Sequence, residues 1–351
     1  MNATMSLENI KHHPVMLNQI LSIISPQHGG TFIDCTFGGG GYSQAILKYP
    51  DTKVLAFDRD ELTRKYANLL VKKFPTRFRF FKDKFSNLNK VIESDSNLKA
   101  IIFDLGLSSY QISDNQRGFS FQSDSFLSME MGINKYSAYD VVNTLDKKYL
   151  TNIIKILGEE KDGKLIANKI VKYRSKKKIK TSKELVSIIK DAKKKHKTYT
   201  KNPATKTFQA IRIFVNKELT ELILGLIEAT KLLSKGGILL VVSFHSLEDK
   251  IVKNFFNLYS NLRENPSRYL PIKKKTSDLF RLLSKKPLIP TTKEIGKNIR
   301  SRSAKLRYAI RNGNSFFYPE EFKKRFESYL KLEETNLWIL IQIDGLLHYQ
   351  Q

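Results

Sequence analysis

Four consecutive glycines, Gly38 to Gly41, lie between an apolar stretch and a helical pattern and form a loop that could hold a ligand close to the backbone. A phosphate-binding P-loop ends in Gly-Lys-Ser/Thr, whereas Gly41 is followed here by Tyr42 and Ser43, which excludes that motif. The dinucleotide fingerprint G-x-G-x-x-G is matched only in part, because Ser43 stands at the third glycine position. The loop alone therefore does not identify its ligand.

Acidic residues end the apolar stretches that follow the loop. Asp58 lies 20 residues after Gly38, where a carboxylate can accept the two ribose hydroxyls of a nucleotide cofactor. The glycine loop and Asp58 together fit cofactor binding and a purely structural turn equally well. Asp83 and Phe85 match the acid and the apolar side chain that commonly flank an adenine ring, although an ordinary strand end has the same pattern. Asp104, which ends the next apolar stretch, shifts the balance towards S-adenosylmethionine, a cofactor without phosphate.

Apolar runs alternate with helical patterns and position these residues. The runs GTFIDCTF, KVLAFDRD, FRFFKDKF and LKAIIFDLG are typical of four buried strands, and KGGILLVVSFH and SAKLRYAIRN of two more. This alternation predicts an α/β fold with a doubly wound parallel sheet, covered by helices on both faces. Ligands of such sheets bind beyond the carboxyl ends of the strands, where the glycine loop, Asp58, Phe85 and Asp104 all fall.

The pattern changes after residue 112. Residues 113–136 resemble a loop, and residues 137–200 read as short helices with basic faces, two of which begin with capping-box sequences at Ser137 and Thr181. The stretch FQAIRIFVNKELTELILGLIEATKLL predicts one long helix. We therefore expect a discontinuous α/β domain over residues 1–112 and 206–313. A helical insert would occupy residues 113–205, and a C-terminal extension of unknown role residues 314–351.

The composition of the chain favours some classes of binding partner over others. The chain has 61 Lys and Arg against 34 Asp and Glu, a net charge of +27 that favours a polyanionic partner. Local clusters such as YRSKKKIK, DAKKKHK, YLPIKKK and NIRSRSAKLR favour nucleic acid, while a lysine-rich background composition is the alternative. Cys35 is the only cysteine, which suits a reducing compartment. Without a signal peptide, and without an apolar run of ~20 residues, the expected location is cytoplasmic and the expected partners include no membrane.

Seven motifs together carry a resemblance to a known family. In chain order they are HHPVML, DCTFGGGGYS, FDRD, FDLGLSSYQISDNQRGFSF, NPATKTFQAIRIFVNKEL, SFHSLEDKIVK and RSRSAKLR. Over about residues 11–310 the chain closely resembles the RsmH (MraW) family. The resemblance implies a class I S-adenosylmethionine-dependent methyltransferase whose Rossmann-like sheet is interrupted by an all-helical substrate-recognition domain. It also implies methylation of the exocyclic amine (N4) of a cytidine in the decoding (P-site) region of 16S rRNA in the small ribosomal subunit.

The resemblance also assigns site residues position by position. The implied cofactor contacts are Gly40, Gly41, Tyr42, Asp58, Phe85, Asp104 and Gln111, and Asp104 is the candidate catalytic residue, serving both the donor and the amine. Tyr42 departs from the family, which usually has His there. A second departure lies at Ser128 and Glu130, where the family usually has an acid and a base, and it leaves RNA placement at that point open.

Several assignments remain as alternatives. His245, Glu248 and Asp249 could ligate a metal, but a helix cap formed by Ser246 and Asp249 is favoured, and we expect no metal. The basic residues that could contact RNA are Arg117, Arg212, Arg300, Arg302, Lys305 and Arg307, of which Arg117 and Arg212 could equally hold the insert itself. A methyltransferase for another RNA or DNA, and an RNA-binding relative without activity, remain alternative functions. The sequence also leaves open whether the protein forms a homodimer.

Overall fold

The structure, a computed structural model, describes residues 14–93, 97–114, 116–121, 124–193, 202–260, 278–318 and 320–334. Within them the chain forms two compact units. The first comprises residues 14–108 and 221–325, and the second residues 109–220 and 326–334. Two of the basic clusters noted above, YLPIKKK and part of DAKKKHK, lie outside the described residues.

A seven-stranded sheet forms the centre of the first unit, in the order β3-β2-β1-β4-β5-β7-β6. The strands are β1 (Gly30–Asp34), β2 (Thr52–Asp58), β3 (Phe78–Lys82), β4 (Leu98–Asp104), β5 (Ile238–Ser243), β6 (Phe280–Arg281) and β7 (Lys305–Arg311). Strands β1 to β5 are parallel and β7 runs antiparallel to both of its neighbours. All six predicted strands are present, and every residue of β1 is buried, as expected for a sheet covered on both faces.

Fifteen α-helices lie within the described residues. They are α1 (Leu17–Ile24), α2 (Gly41–Leu47), α3 (Arg64–Lys73), α4 (Leu88–Val91), α5 (Ser109–Ser113), α6 (Ala138–Thr144), α7 (Lys147–Ile156), α8 (Gly163–Arg174), α9 (Ser182–Ala192), α10 (Thr205–Asn216), α11 (Glu218–Leu232), α12 (Ser246–Tyr259), α13 (Thr292–Lys297), α14 (Glu320–Arg325) and α15 (Glu327–Glu334). No helix of the described residues combines the length and the apolar character that crossing a membrane requires.

The second unit is helical. Ser137 and Thr181 each form the predicted capping box, with Asp140 and Glu184 at the third helical position. The unit begins at residue 109 and continues to residue 220, beyond the predicted limits of the insert, because α10 packs against α6 and α7. The predicted single long helix is wrong, since Lys217 adopts a left-handed conformation (φ 52°) that ends α10 and separates it from α11.

The C-terminal helix α15 supplies the missing cap of α11. The carboxylate of Glu333, fully buried, accepts hydrogen bonds from the backbone nitrogens of Leu219 (3.2 Å) and Thr220 (2.7 Å) and from the Thr220 hydroxyl (2.5 Å). These nitrogens belong to the first turn of α11 and have no partner within the helix. A residue distant in sequence therefore caps this helix.

Replacing Glu333 by Ala should loosen the start of α11. The buried nitrogens of Leu219 and Thr220 would lose their acceptor, at a cost of about 2 to 4 kcal/mol. Hydrogen exchange should show faster exchange at these two amides, whereas the Glu334→Ala variant, changed at an exposed neighbour, should match the wild type. Unchanged protection in Glu333→Ala would show that the cap contributes nothing.

Candidate active site

Three neighbouring strands of the sheet end on an aspartate. Asp34 ends β1, Asp58 ends β2 and Asp104 ends β4. In the parallel register Asp34 pairs with Ala56 and Ile102, so that Asp58 and Asp104 lie two residues further along the flanking strands. Side chains two residues apart share a face of the sheet, which brings the three carboxyl groups to the same face and the same edge.

Burial makes these carboxyl groups reluctant to ionise. It raises the pKa of Asp34 to about 6, that of Asp58 to about 7 and that of Asp104 to about 8. Repulsion from Asp34 further raises the pKa of both neighbours, while hydrogen bonds from Ser43, Thr36, Gly38 and Asp60 lower those of Asp34 and Asp58. Three carboxyl groups with raised pKa values therefore lie together at this edge of the sheet, where a bound cation would favour their ionised form.

The glycine loop is tied to the second of these acids. The Gly38 nitrogen donates to Oδ2 of Asp58 at 2.8 Å, and the Asp60 nitrogen donates to Oδ1 at 2.8 Å. The turn itself needs glycine, because Gly38 (φ 53°) and Gly40 (φ 77°) are left-handed. These bonds fix the orientation of the Asp58 carboxylate and leave each oxygen a further lone pair.

The space beside Gly40 and Gly41 is filled by protein. A Cβ on Gly40 would lie 2.7 Å from the Phe37 ring, and a Cβ on Gly41 would lie 2.3 Å from Pro14. These glycines therefore allow the loop to pack against its own neighbours. Any cofactor contact that they make must use their backbone atoms.

Gly40→Ala should destabilise the protein even without ligand. The left-handed backbone and the clash with Phe37 together cost about 2 to 5 kcal/mol. Gly236→Ala is a matched control, because Gly236 is also left-handed (φ 88°) but no atom lies within 4 Å of its added Cβ. Urea unfolding should show the larger loss for Gly40→Ala, and equal losses would exclude the packing role.

Tyr42 connects the third acid to the backbone. Its hydroxyl, buried in the core, donates to the Val15 carbonyl at 2.5 Å and also hydrogen-bonds to the Asp104 carboxyl. The hydrogen bond with Tyr42 lowers the pKa of Asp104, but burial and repulsion from Asp34 outweigh it, so the neutral form of Asp104 is favoured below about pH 8. Its Oδ1 is buried and has no hydrogen-bond partner among the described residues.

Phe85 forms an apolar wall of the first unit. Its half-buried ring lies edge-on to Phe103 with centroids 5.1 Å apart. Gly225 of α11 makes room for it, since a Cβ there would lie 2.5 Å from the ring. Asp83 accepts bonds from the Lys84 nitrogen (2.7 Å) and the Asn87 amide (2.8 Å), which secures the turn that carries Phe85.

Three predicted site residues belong to the second unit. Gln111, on α5, is buried. Arg117 donates to the Glu130 carbonyl and lies 5.6 Å from the Phe119 ring centroid. Arg212 makes a bidentate ion pair with Glu218, both contacts at 2.8 Å, across the Lys217 turn. The guanidinium groups of Arg117 and Arg212 are thus engaged within the unit, which favours a role in holding the insert.

The two departures from the family in this unit bind each other. The Ser128 hydroxyl donates to the Glu130 carboxylate at 2.8 Å, and Met129 between them is left-handed (φ 55°). The segment thus has a defined conformation of its own.

Four of the basic residues predicted to contact RNA divide into two pairs. Arg300 and Arg302 are exposed and lie in a 3₁₀-helix (Ile299–Ser303) before β7. Lys305 and Arg307 lie on β7 and donate to Asp249 at 3.0 and 2.7 Å. Burial raises the pKa of Asp249, but these bonds outweigh it and hold the pKa below its usual value.

His245 caps α12. Its Nδ1 accepts from the Glu248 nitrogen at 3.5 Å, and the Glu248 carboxylate accepts from the nitrogens of Phe244 (2.8 Å) and His245 (3.3 Å). A capping box is present as predicted, but it uses His245 and Glu248 instead of Ser246 and Asp249.

One residue of the site was missed from the sequence. Asp34 accepts hydrogen bonds from the Ser43 hydroxyl (2.7 Å) and the Thr36 nitrogen (3.3 Å), and Thr36 in turn accepts from the Asp104 nitrogen (2.7 Å). The signal was present, since β1 ends on an acid just as β2 and β4 do.

The strand order, the antiparallel β7, and a glycine loop beside acids at the strand ends define a class I methyltransferase. The sequence pattern of the MraW methylase family matches residues 9–312, and the chain belongs to that family.

Relatives agree with this family. The chain is 44% identical over 304 residues to a ribosomal RNA small subunit methyltransferase H of Ehrlichia chaffeensis, covering 86% of this chain and 99% of the relative. Proteins of the same name from Wolbachia (44%, 84% of this chain and 97% of the relative) and Afipia carboxidovorans (41%, 89% and 93%) are also similar. The resemblance inferred from the motifs is confirmed.

Proposed function

We propose that the protein transfers a methyl group from S-adenosylmethionine to N4 of a cytidine in the decoding region of 16S rRNA. The observation that carries this proposal is the trio of Asp34, Asp58 and Asp104 at one edge of the sheet beside the glycine loop, in a chain of the MraW methylase family. The relatives' names, which specify small-subunit ribosomal RNA, support the substrate class.

The residues fit a cationic donor. One oxygen of Asp104 is buried and has no hydrogen-bond partner among the described residues, and the three acids at this edge would stabilise positive charge once ionised. Asp58 keeps lone pairs for two ribose hydroxyls, and the Phe85 ring provides a wall for an adenine. We assign Gly40, Gly41 and Tyr42 to the same donor site, with contact through the loop backbone, and Gln111 as a further contact.

The chemistry requires little beyond alignment and a hydrogen-bond acceptor. When bound, the donor supplies an electrophilic methyl group on a sulfonium. The cytosine amine is a poor nucleophile because its lone pair is delocalised into the ring. Asp104, once ionised, accepts a hydrogen bond from that amine, which turns the lone pair towards the methyl group and receives the developing positive charge. The target base must be presented unstacked.

Among the basic residues that could contact RNA, we favour the exposed Arg300 and Arg302. Arg300→Gln with Arg302→Gln should lower the salt slope of RNA binding, because each lost phosphate contact removes about 0.7 from it. Lys305→Gln with Arg307→Gln is the comparison, since these side chains already bind Asp249. Titration of a labelled RNA at several salt concentrations measures both slopes, and an unchanged slope in the first pair would remove it from the interface.

Labelled S-adenosylmethionine tests the proposal with three acceptors: unmodified small subunits, free 16S rRNA and DNA. Transfer to either RNA acceptor and not to DNA is expected. Transfer to DNA alone would favour a DNA amine methyltransferase, and RNA binding without transfer would favour an inactive relative. The proposed location is the cytoplasm, where small subunits are assembled. A homodimer finds no support in the relatives, and the proposed reaction does not require one.

A further inference from the structure

Helices α8 and α9 of the second unit and the turn after α8 line an open basic cavity, none of whose lining residues is assigned to the donor site. Its volume is about 310 Å³, in the range of small-ligand sites. The lining residues are Lys169, Lys172, Tyr173, Lys176, Ser187, Ile188 and Asp191, which we call the α8/α9 groove. Lys169, Lys172 and Tyr173 lie within one turn of α8, and Lys176 lies in the turn directly after the helix.

The charge of the groove is predominantly positive. Lys169 binds Asp191 at 2.8 Å, and both side chains are 42% exposed, so this pair is solvated and weak. Lys172 and Lys176 are exposed, and neither forms an ion pair with another of the described residues. Two exposed lysines of the lining are therefore available for anionic oxygens.

The groove also has an apolar floor. Ile188 is buried and the Tyr173 ring is half-buried, and both line the cavity. Lysines alone would bind any anion. The aromatic ring in the lining can in addition stack on a planar group. Phosphate contacts from lysine combined with stacking on an aromatic ring are how proteins hold single-stranded nucleic acid without reading its sequence.

We propose that the α8/α9 groove binds a nucleotide of the substrate RNA strand outside the methylated position, with Lys172 and Lys176 on phosphate oxygens and a base or ribose against Tyr173. This inference rests on the proposed function for the identity of the polyanion.

RNA binding by the full-length protein tests the groove. The probe is a labelled single-stranded RNA that carries the target cytidine and its flanking nucleotides, titrated at several salt concentrations. We expect Lys172→Gln with Lys176→Gln to lower the salt slope by about 1.4, and Tyr173→Leu to weaken binding about tenfold with an unchanged slope. The control is Lys147→Gln with Lys148→Gln, an exposed pair on α7 outside the groove, which should keep the wild-type slope.

Two outcomes would overturn the inference. Wild-type affinity and slope in the Lys172/Lys176 double variant would exclude RNA from the groove. Displacement of the RNA by inorganic phosphate, at matched ionic strength, would show that the groove binds anions in general and does not recognise a nucleotide. Thermal unfolding of each variant shows whether the fold is kept. If the double variant binds RNA normally while the wild type methylates it, the groove proposal is wrong and the proposed function stands. If the wild type binds RNA but never methylates it, the proposed function is wrong.

Discussion

Asp104→Ala should abolish single-turnover methyl transfer, with a loss of about 100-fold or more. The carboxyl group is the acceptor that we assign to the target amine, and in the variant no other oxygen takes its place on β4. Its removal should not unfold the protein, because burial makes ionised Asp104 costly and its Oδ1 has no partner among the described residues. Rapid-quench measurement with saturating donor and RNA separates this step from product release.

Two controls make the Asp104 result specific. Asp51→Ala changes an exposed acid at the opposite end of the sheet, before β2, and should transfer methyl groups at the wild-type rate. Asp104→Asn keeps the shape of the side chain but cannot become an anion, and it should be nearly as impaired as Asp104→Ala. Full single-turnover activity in both Asp104 variants would remove the residue from the reaction.

Affinity for S-adenosylmethionine should rise with pH, by up to tenfold per unit between about pH 6 and pH 8. Burial and repulsion from Asp34 raise the pKa of Asp104 to about 8, so a cationic donor beside it must displace a proton. Below pH 8 that displacement opposes binding, and above pH 8 the carboxylate is already formed. Asp34 and Asp58, with pKa values of about 6 and 7, act in the same direction at lower pH.

Calorimetry in buffers of different ionisation enthalpy measures the protons released when the donor binds. The wild type should release about one proton at pH 7, and Asp104→Asn should release less and lose the upper part of the pH dependence. The same raised pKa makes the free protein less stable as pH rises from about 4 to 8, because the folded state holds a proton that the unfolded state gives up. Donor affinity independent of pH would contradict a protonated Asp104.

Much of the fold could be predicted from local patterns. Buried apolar runs predicted six strands, because a parallel sheet covered on both faces leaves a strong signal. Strand β6 was missed, since two residues, Phe280 and Arg281, carry no periodicity. The break at Lys217 was missed because its left-handed conformation follows from tertiary packing and the flanking residues keep a helical pattern.

The sequence predicted which residues lie at the sheet edge but not the packing and electrostatics around them. Asp58, Phe85 and Asp104 lie where the strand ends predicted, but no spacing could show that the side-chain space at Gly40 is filled by Phe37. The raised pKa of Asp104 depends on burial and on Asp34, which belongs to another strand and is distant in sequence. Glu333 lies beyond residue 312, where the family pattern ends, and its capping of α11 depends on the docking of α15.

The most direct test of the central claim is the identity of the methylated nucleoside. Small subunits or free 16S rRNA lacking the modification are incubated with the protein and labelled S-adenosylmethionine, and the RNA is then digested and its nucleosides are separated. The label should appear in N4-methylated cytidine from a single site in the decoding region. Label in a ring-carbon or ribose methyl group, or at an unrelated site, would contradict the function proposed for Asp104 and its neighbours.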